Sequence, residues 1–265
     1  MAVQIGFLGF GEAAFHIAAG FRDQGLEGLH AYDVTLSASG ERRVILDRRL
    51  AETGVTPAGS VEELLEKAQV IFLIIPAKFA QSAALEALPH LTEEHLFCDL
   101  TTNRPAVKEA LGKAFVERGV RYVDAAVMGA VPLYRHRTPT LVCGNGAERM
   151  VELMAPLGMD LTDVGPEPGK AVKMKLTRSV FVKGVEALTV EMLMTARRLG
   201  IDKEIVAGIE QSFQGLGFTK FCGQLVTSGV EHAERRSLEA KECQELEEEL
   251  GLNSIMMEAA CRKLQ

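Results

Sequence analysis

The sequence has no Cys-x-x-C pair, no long apolar run and no excess of positive charge, and each absence disfavours a class of protein. The five cysteines are scattered and odd in number, so they indicate neither a disulfide framework nor a zinc site, and we expect no bound metal. Such cysteines are typical of small buried hydrophobic residues in a reducing compartment.

Membrane and nucleic-acid binding are disfavoured as well. The longest apolar run, Val70 to Ala77, is far shorter than the roughly 20 residues that cross a bilayer. No lysine or arginine precedes Arg22, so the apolar N-terminus does not resemble a signal peptide, and we expect a cytoplasmic protein. The chain has 29 Lys and Arg against 36 Asp and Glu, a formal net charge of -7. Nucleic acid is therefore a poor candidate for a partner.

What the sequence does contain is an alternation of short apolar strands and helical segments up to about residue 164. The stretch Val3 to Leu8 predicts a buried strand, and Val70 to Ile75 is apolar throughout, as in a parallel sheet that is covered on both faces. After Gly165 the pattern is helical only. The sequence therefore predicts an α/β Rossmann domain with a doubly wound, mostly parallel sheet over residues 1–164, followed by an all-α domain over residues 165–265.

A glycine-rich turn follows the first predicted strand and opens the first predicted helix. Gly9 permits a tight turn, Gly11 lets the backbone approach a pyrophosphate, and Ala14 allows close packing of helix on strand. The positive end of the helix would hold the phosphates. We predict a dinucleotide site here, the alternative being a tight turn in an α/β protein that binds no nucleotide. The predicted contacts in this turn are Gly9, Phe10, Gly11, Glu12 and Ala13.

The acid at the end of the second predicted strand indicates which dinucleotide binds. Asp33 follows the strand from Leu29 to Tyr32, where it would accept hydrogen bonds from ribose hydroxyls and repel a 2′-phosphate. NAD is therefore favoured over NADP, although Arg42 or Arg43 would loosen that preference if a loop brought either one close. Ligands bind beyond the carboxyl ends of the strands in such a sheet. Further predicted cofactor contacts are Ile75, Pro76, Thr101, Thr102 and Asn103.

The stretch from Gly165 to Lys183 joins the two predicted domains. A helical pattern begins at Lys170. Lys175 and Ser179 are four residues apart, so they lie on one face of this helix. The apolar positions that we expect this helix to bury are Leu176, Val180 and Leu188.

A second candidate for the substrate pocket is the small, turn-like segment Met128-Gly129-Ala130, which lies between two predicted strands. Backbone N–H groups at Gly129 and Ala130 would bind an anion. Each basic residue that would add charge from the helical domain has a surface salt bridge as its alternative role. These residues are Arg178, His232, Arg235 and Arg236.

Four stretches resemble the β-hydroxyacid dehydrogenase superfamily, which includes 3-hydroxyisobutyrate and 6-phosphogluconate dehydrogenases. They are GFLGFGEAA, DLTTNRP, DAAVMGAVP and the G-x-A-x-x-x-K stretch from Gly169 to Lys175. KMKLTRSVFVKG and HAERRSLEAKE look most like a less-characterised branch with its own C-terminal domain. The resemblance implies a Rossmann domain, a helical C-terminal domain, a substrate cleft between them, and a homodimer or homotetramer built through the C-terminal helices.

The resemblance also implies a catalytic lysine. It falls on Lys175, where the family's lysine exchanges a proton with the substrate oxygen while a hydride passes to or from nicotinamide; Lys173 is the rival if the register slips. The family's asparagine four residues later is Ser179 here, and the serine of its serine-glycine-glycine clamp is Met128. These two departures change the groups that would contact the substrate.

The resulting hypothesis is an NAD(P)-dependent oxidoreductase that acts on a β-hydroxyacid-like or related polar hydroxy or keto compound. Two alternatives stay open. An imine reductase of similar architecture would reduce C=N bonds, although the retained Lys175 argues against it. A dinucleotide-sensing protein without turnover is the other, and Met128 and Ser179 keep it open.

Overall fold

The computed structural model describes residues 3–215 and 217–264. It divides the chain into two compact units, Met1–Thr177 and Arg178–Gln265. The first unit is built on a sheet, and the elements of the second are helices.

The first unit contains one sheet of eight strands in the order β3-β2-β1-β4-β5-β6-β7-β8. Every neighbouring pair is parallel except β6 and β7, which are antiparallel. The predicted doubly wound, mostly parallel sheet is confirmed. The strands are β1 (Ile5–Leu8), β2 (Leu29–Tyr32), β3 (Thr56–Pro57), β4 (Val70–Leu73), β5 (Leu96–Asp99), β6 (Arg121–Val127), β7 (Thr140–Cys143) and β8 (Leu161–Asp163).

Helices cover both faces of this sheet. One of them, α3 (Val61–Lys67), shows how local sequence sets a helix start. The Ser60 hydroxyl accepts a hydrogen bond from Glu63 N at 3.2 Å, and Glu63 Oε2 accepts one from Gly59 N at 2.6 Å. The other helices of this unit are α1 (Glu12–Asp23), α2 (Glu41–Thr53), α4 (Ala77–Ala87), α5 (Pro105–Glu117), α6 (Val131–Tyr134) and α7 (Ala147–Met154).

The core lies on the two faces of the sheet, and alternate residues of a strand enter opposite clusters. In β4, Phe72 packs in one cluster with Phe7 at a ring-centroid distance of 5.8 Å, whereas Ile71 packs in the other. The second cluster contains Phe97 and Phe115, whose ring centroids are 4.9 Å apart. Burial on both faces explains why β1 and β4 carry no polar residue.

Helix α8 (Lys170–Leu199) begins in the first unit and continues into the second. Among the described residues, no strand follows β8, and no helix is long and apolar enough to cross a membrane. The remaining helices are α9 (Asp202–Phe213), α10 (Phe218–Glu231), α11 (Ala233–Glu249) and α12 (Ile255–Leu264).

The apolar stripe of α8 is exposed, contrary to the prediction from its periodicity. Val180 is 76% exposed, and Leu176 and Leu188 are each 40% exposed. The physical reason is that the chain's own helices do not cover this stripe. In the second unit only four described residues are buried, and they are Ala196, Ala240, Glu247 and Ser254.

The buried side chain of His136 makes the stability of the first unit depend on pH. It is buried against Phe21, and neither ring nitrogen has a hydrogen-bond partner. Burial, together with the neighbouring Arg137 and Arg135 charges, lowers the pKa of His136, while Asp23 opposes the shift. The unfolded chain therefore binds a proton at this residue that the folded chain rejects.

We expect the free energy of unfolding to fall as the pH drops below about 6.5, where an unfolded histidine becomes protonated. His136→Leu should remove part of this slope, which urea titrations at pH 8 and pH 5.5 will measure. The exposed His90→Asn should leave the slope in place. A slope unchanged by His136→Leu would contradict the assignment.

Candidate functional site

The glycine-rich turn lies where the order of the strands reverses, between β1 and β4. Gly9 has φ 94°, and a Cβ there would lie 2.3 Å from Ile75 Cγ2 and 2.5 Å from the Ile74 carbonyl oxygen. Only glycine fits this position. Gly11 precedes α1, and a Cβ there would meet no atom within 4 Å. The turn therefore leaves open space at the positive end of α1, which suits a pyrophosphate.

Asp33 ties this turn to the end of β2. Its Oδ2 accepts a hydrogen bond from Phe10 N and its Oδ1 accepts one from Thr35 N, each at 2.8 Å. A carboxylate oxygen has two acceptor positions, so Asp33 retains capacity for a ribose hydroxyl. Arg43 Nε donates a hydrogen bond to Asp47 Oδ1 at 2.7 Å, and Arg43 Nη1 donates one to the Leu36 carbonyl oxygen. The guanidinium of Arg43 is therefore already bound by groups near the start of α2.

Other predicted cofactor residues follow β4 and β5 at the same edge of the sheet. Asn103 Nδ2 donates to the Ala77 carbonyl oxygen at 3.0 Å, which links the loop after β5 to the start of α4. Ile75 is half-buried and Pro76 is exposed, while Glu12 and Ala13 lie in the first turn of α1. The structure thus collects these residues at the carboxyl ends of parallel strands.

Beneath this edge lies a buried ion cluster that the sequence-based prediction missed. Lys108, Asp99 and Asp124 are all 0% exposed. Lys108 Nζ lies 3.0 Å from Asp99 Oδ2 and 3.2 Å from Asp124 Oδ1, and it donates to the Asp99 carbonyl oxygen at 2.8 Å. Tyr122 also donates to Asp99 Oδ2 at 3.0 Å. The available signal was the position of Lys108 three residues before Leu111, on the apolar face of α5.

The same cluster anchors the start of α8. Asp124 Oδ2 accepts a hydrogen bond from Gly169 N at 3.0 Å. It also accepts one from the Cys143 thiol at 3.4 Å, while Cys143 Sγ accepts one from Ala171 N at 3.3 Å. Burial raises the pKa of the Cys143 thiol to about 11, so this thiol is a structural donor and acceptor.

Lys175 projects from α8 toward the loop after β5. Its Nζ donates to Thr102 Oγ1 at 2.8 Å. Neighbouring Thr101 is buried, and its N–H and hydroxyl both donate to Asp99 Oδ1, at 2.9 and 2.6 Å. Burial lowers the pKa of Lys175, the Lys108 ammonium lowers it further, and the Asp124 carboxylate opposes them. A lysine in such surroundings can give and take protons nearer to neutral pH.

Lys173 has different surroundings, although it is only two residues away. Its Nζ lies 2.7 Å from Glu109 Oε1, and both side chains are largely exposed. The hydrogen bond to Glu109, followed by the attraction of that charge, raises the pKa of Lys173. The two lysines thus have shifts of opposite sign.

The predicted substrate residues are divided between the two units. In the first unit, Met128 N donates to the Pro139 carbonyl oxygen at 2.7 Å, and the exposed Gly129 and Ala130 follow it. In the second, Arg235 lies 3.2 Å from Glu239 as a surface pair. The other predicted residues of the second unit are Arg178, Ser179, His232 and Arg236, the last of which donates to Ser228 Oγ.

The geometry fits a dinucleotide at the sheet edge and offers no metal centre among residues 3–215 and 217–264. Gly11 leaves the open space, α1 supplies the positive helix end, and Asp33 supplies an acceptor beside the turn. Within those residues, no three His, Cys, Asp or Glu side chains are placed to hold a metal ion.

Two family profiles match the chain. The NAD binding domain of 6-phosphogluconate dehydrogenase matches residues 4–165, which include the glycine-rich turn, Asp33 and the loop after β5. A domain of unknown function (DUF1932) matches residues 196–265.

Individual proteins resemble the chain over most of its length. The structure of a conserved hypothetical protein from Sinorhizobium meliloti 1021 is 35% identical, with a TM-score of 0.68, and the match covers 100% of this chain and 88% of that one. Mitochondrial 3-hydroxyisobutyrate dehydrogenase from Drosophila melanogaster is 25% identical over 81% of this chain and 64% of its own length. An imine reductase variant from Myxococcus stipitatus, solved with NAD+, has a TM-score of 0.80 at 17% identity, covering 100% and 93%. That last likeness concerns the fold alone.

We expect Gly11→Val to fold and to lose NADH affinity. The new Cβ meets no protein atom within 4 Å, and the valine side chain fills the space where the pyrophosphate approaches. The loss should be at least about tenfold in Kd, or about 1.4 kcal/mol, measured by NADH fluorescence titration. Gly208→Val is the matched control, because a Cβ there also meets nothing within 4 Å. Unchanged affinity in folded Gly11→Val would refute the assignment of the turn.

Proposed function

We propose that this chain, which belongs to the family of the NAD-binding domain of 6-phosphogluconate dehydrogenase, is an NAD-dependent oxidoreductase with Lys175 as its general acid and base. The observation that carries the proposal is the position of Lys175 Nζ, 2.8 Å from Thr102 Oγ1 at the sheet edge where the dinucleotide turn also lies. Its lowered pKa supports the same role.

Bound NAD supplies the acceptor or donor of the hydride. Lys175 supplies the proton transfer that must accompany it, because a carbon bearing oxygen cannot change oxidation state in this way unless a proton moves on the oxygen. In alcohol oxidation the neutral amine of Lys175 takes the hydroxyl proton, and in carbonyl reduction its ammonium returns one. Thr102 keeps Nζ at the sheet edge through the hydrogen bond between the two side chains.

We infer a small polar or anionic substrate, a β-hydroxyacid or a related hydroxy or keto compound. Gly129 and Ala130 are exposed and follow β6, so their backbone N–H groups are available to an anion. Met128 brings no hydroxyl to this segment, so recognition there depends on the backbone. The resemblance to an imine reductase in fold makes cyclic imines a necessary part of any substrate panel.

We expect Lys175→Met to retain its fold and NADH affinity but to lose turnover by roughly 10²-fold or more, the usual contribution of general acid–base catalysis. Lys173→Met is the matched control, because it removes a lysine from the same helix whose partner is Glu109. The measurement is the rate of NADH formation or consumption, after hydroxyacids, keto acids and cyclic imines have been screened with the wild type.

The outcomes separate the readings of this site. Normal turnover by Lys175→Met with loss in Lys173→Met would place the catalytic role two residues earlier. Activity in both variants would refute a lysine mechanism. NADH binding without turnover of any compound would favour a sensor, and turnover of imines alone would favour an imine reductase.

We also propose that a second copy of the chain covers the apolar helices of the second unit. Four buried residues cannot provide the core of a stable domain. Large exposed apolar patches, such as the one that the helices of the second unit carry, mark surfaces that another protein covers. An identical chain offers the same apolar helices, and a two-fold axis makes one such surface complementary to itself.

We expect the native mass to be at least twice the 28.8 kDa of one chain, by light scattering after size exclusion. Val226→Glu in α10 should lower the mass toward that of one chain, because it places a charge in the covered surface. Val44→Glu in α2 is the matched control, since both valines are 67% exposed. A monomeric wild type would refute the second copy.

A further inference from the structure

We propose that Lys108 is a positioning residue that sets the place of Lys175 Nζ and the charge around it, through the two carboxylates Asp99 and Asp124. The catalytic role of Lys175 rests on the proposed function, but the effect of Lys108 on the position of Lys175 and on the charge around it does not. The groups that pair with Lys108 are Asp99 and Asp124, so it acts on Lys175 through them.

Stability alone is a weak reason for such a buried cluster. Lysine is almost never fully buried unless it is paired. Replacing a buried ion pair with apolar residues of similar volume is often neutral or stabilising. The 0% exposure of Lys108 and both carboxylates is therefore better explained by a requirement for defined positions and a defined charge.

Two chains of contacts lead from Lys108 to Lys175. On one side, Lys108 pairs with Asp99, and Asp99 Oδ1 accepts hydrogen bonds from the N–H and the hydroxyl of Thr101. Thr102, which follows Thr101 in the chain, accepts the hydrogen bond from Lys175. This arm fixes the acceptor of the Lys175 ammonium.

On the other side, Lys108 holds Asp124, whose Oδ2 accepts the Gly169 N–H and the Cys143 thiol. Gly169 immediately precedes α8, and Ala171 in its first turn donates to Cys143. This arm fixes the start of the helix that carries Lys175. Both ends of the contact between Lys175 and Thr102 therefore depend on one buried ammonium.

The charges of the cluster also shift the pKa of Lys175, and they do so in opposite directions. After burial, the Lys108 ammonium lowers the pKa of Lys175 and the Asp124 carboxylate raises it. The other titratable groups around the cluster are Cys98 on β5, Tyr122 on β6, Cys143 on β7 and the Glu109–Lys173 pair between α5 and α8. One ammonium and two carboxylates leave one formal negative charge in the cluster.

Three variants test this arrangement by its sign. Lys108→Met removes the positive charge and should raise the pKa of Lys175, whereas Asp124→Asn removes a negative charge and should lower it. The double variant restores one formal negative charge and should return the pKa toward the wild-type value. Lys113→Met is the matched control, because Lys113 lies on the same helix with its side chain 79% exposed.

The measurement uses acetic anhydride, which acetylates the neutral amine of a lysine but not its ammonium. The rate of acetylation of Lys175 in the cofactor-free full chain is measured by mass spectrometry at pH values from 7 to 10. We expect labelling at pH 8 to slow roughly twofold or more in Lys108→Met and to quicken by a similar factor in Asp124→Asn. The control should match the wild type. If Lys108→Met does not fold, Asp124→Asn and the double variant give the same test.

Labelling needs neither substrate nor turnover, so a protein that proves to be a sensor still gives an answer. Shifts in the same direction for both single variants, or no shift in folded Asp124→Asn, would overturn the inference. Where a substrate is found, the pH profile of kcat should move with the labelling pKa in each variant, and a fixed profile would overturn it as well.

Discussion

The ammonium of Lys108 between the carboxylates of Asp99 and Asp124 is the interaction on which the site depends. It joins α5 to the carboxyl-end residue of β5 and to the middle of β6, at distances of 3.0 and 3.2 Å. Electrostatic interactions are strong in such a buried place because the local dielectric constant is low. The remaining acceptor positions bind Thr101, Tyr122 and Gly169, so the cluster orders a loop, a strand and the approach to a helix together.

The dinucleotide turn and the loop that contacts Lys175 lie at the same edge of the sheet because of the order and direction of its strands. The carboxyl ends of β1, β4 and β5 meet there, since these strands are parallel and adjacent. The dinucleotide turn follows β1, and the loop that contacts Lys175 follows β5. The dinucleotide turn and the Lys175–Thr102 contact therefore lie at the same edge of the sheet, where ligands bind in such folds.

Helix α8 has two different surroundings along its length. In its first turn Ala171 and Val172 are buried, at 0% and 1% exposure, and the cluster anchors this end of the helix. Beyond Thr177 its large apolar side chains include the exposed Val180, Leu188 and Val190, and α9 and α10 also carry exposed apolar side chains. The proposed second copy accounts for that surface, because a helical unit with so small a core needs other apolar helices to exclude water.

Local signals in the sequence determined the positions of β1 and β2, the Ser60 cap of α3 and the start of α8 at Lys170, because each depends on neighbouring residues alone. The strand–turn–helix pattern around Gly9 and Gly11 likewise predicted the NAD-binding domain that the family comparison confirms. The roles of Lys175 and of the predicted substrate residues stay predictions.

Only the tertiary structure decided that Lys108 pairs with Asp99 and Asp124, because residues far apart in sequence meet in that cluster. It also decided that Leu176, Val180 and Leu188 are exposed: periodicity shows which face of a helix is apolar, but not whether anything in the same chain packs against it.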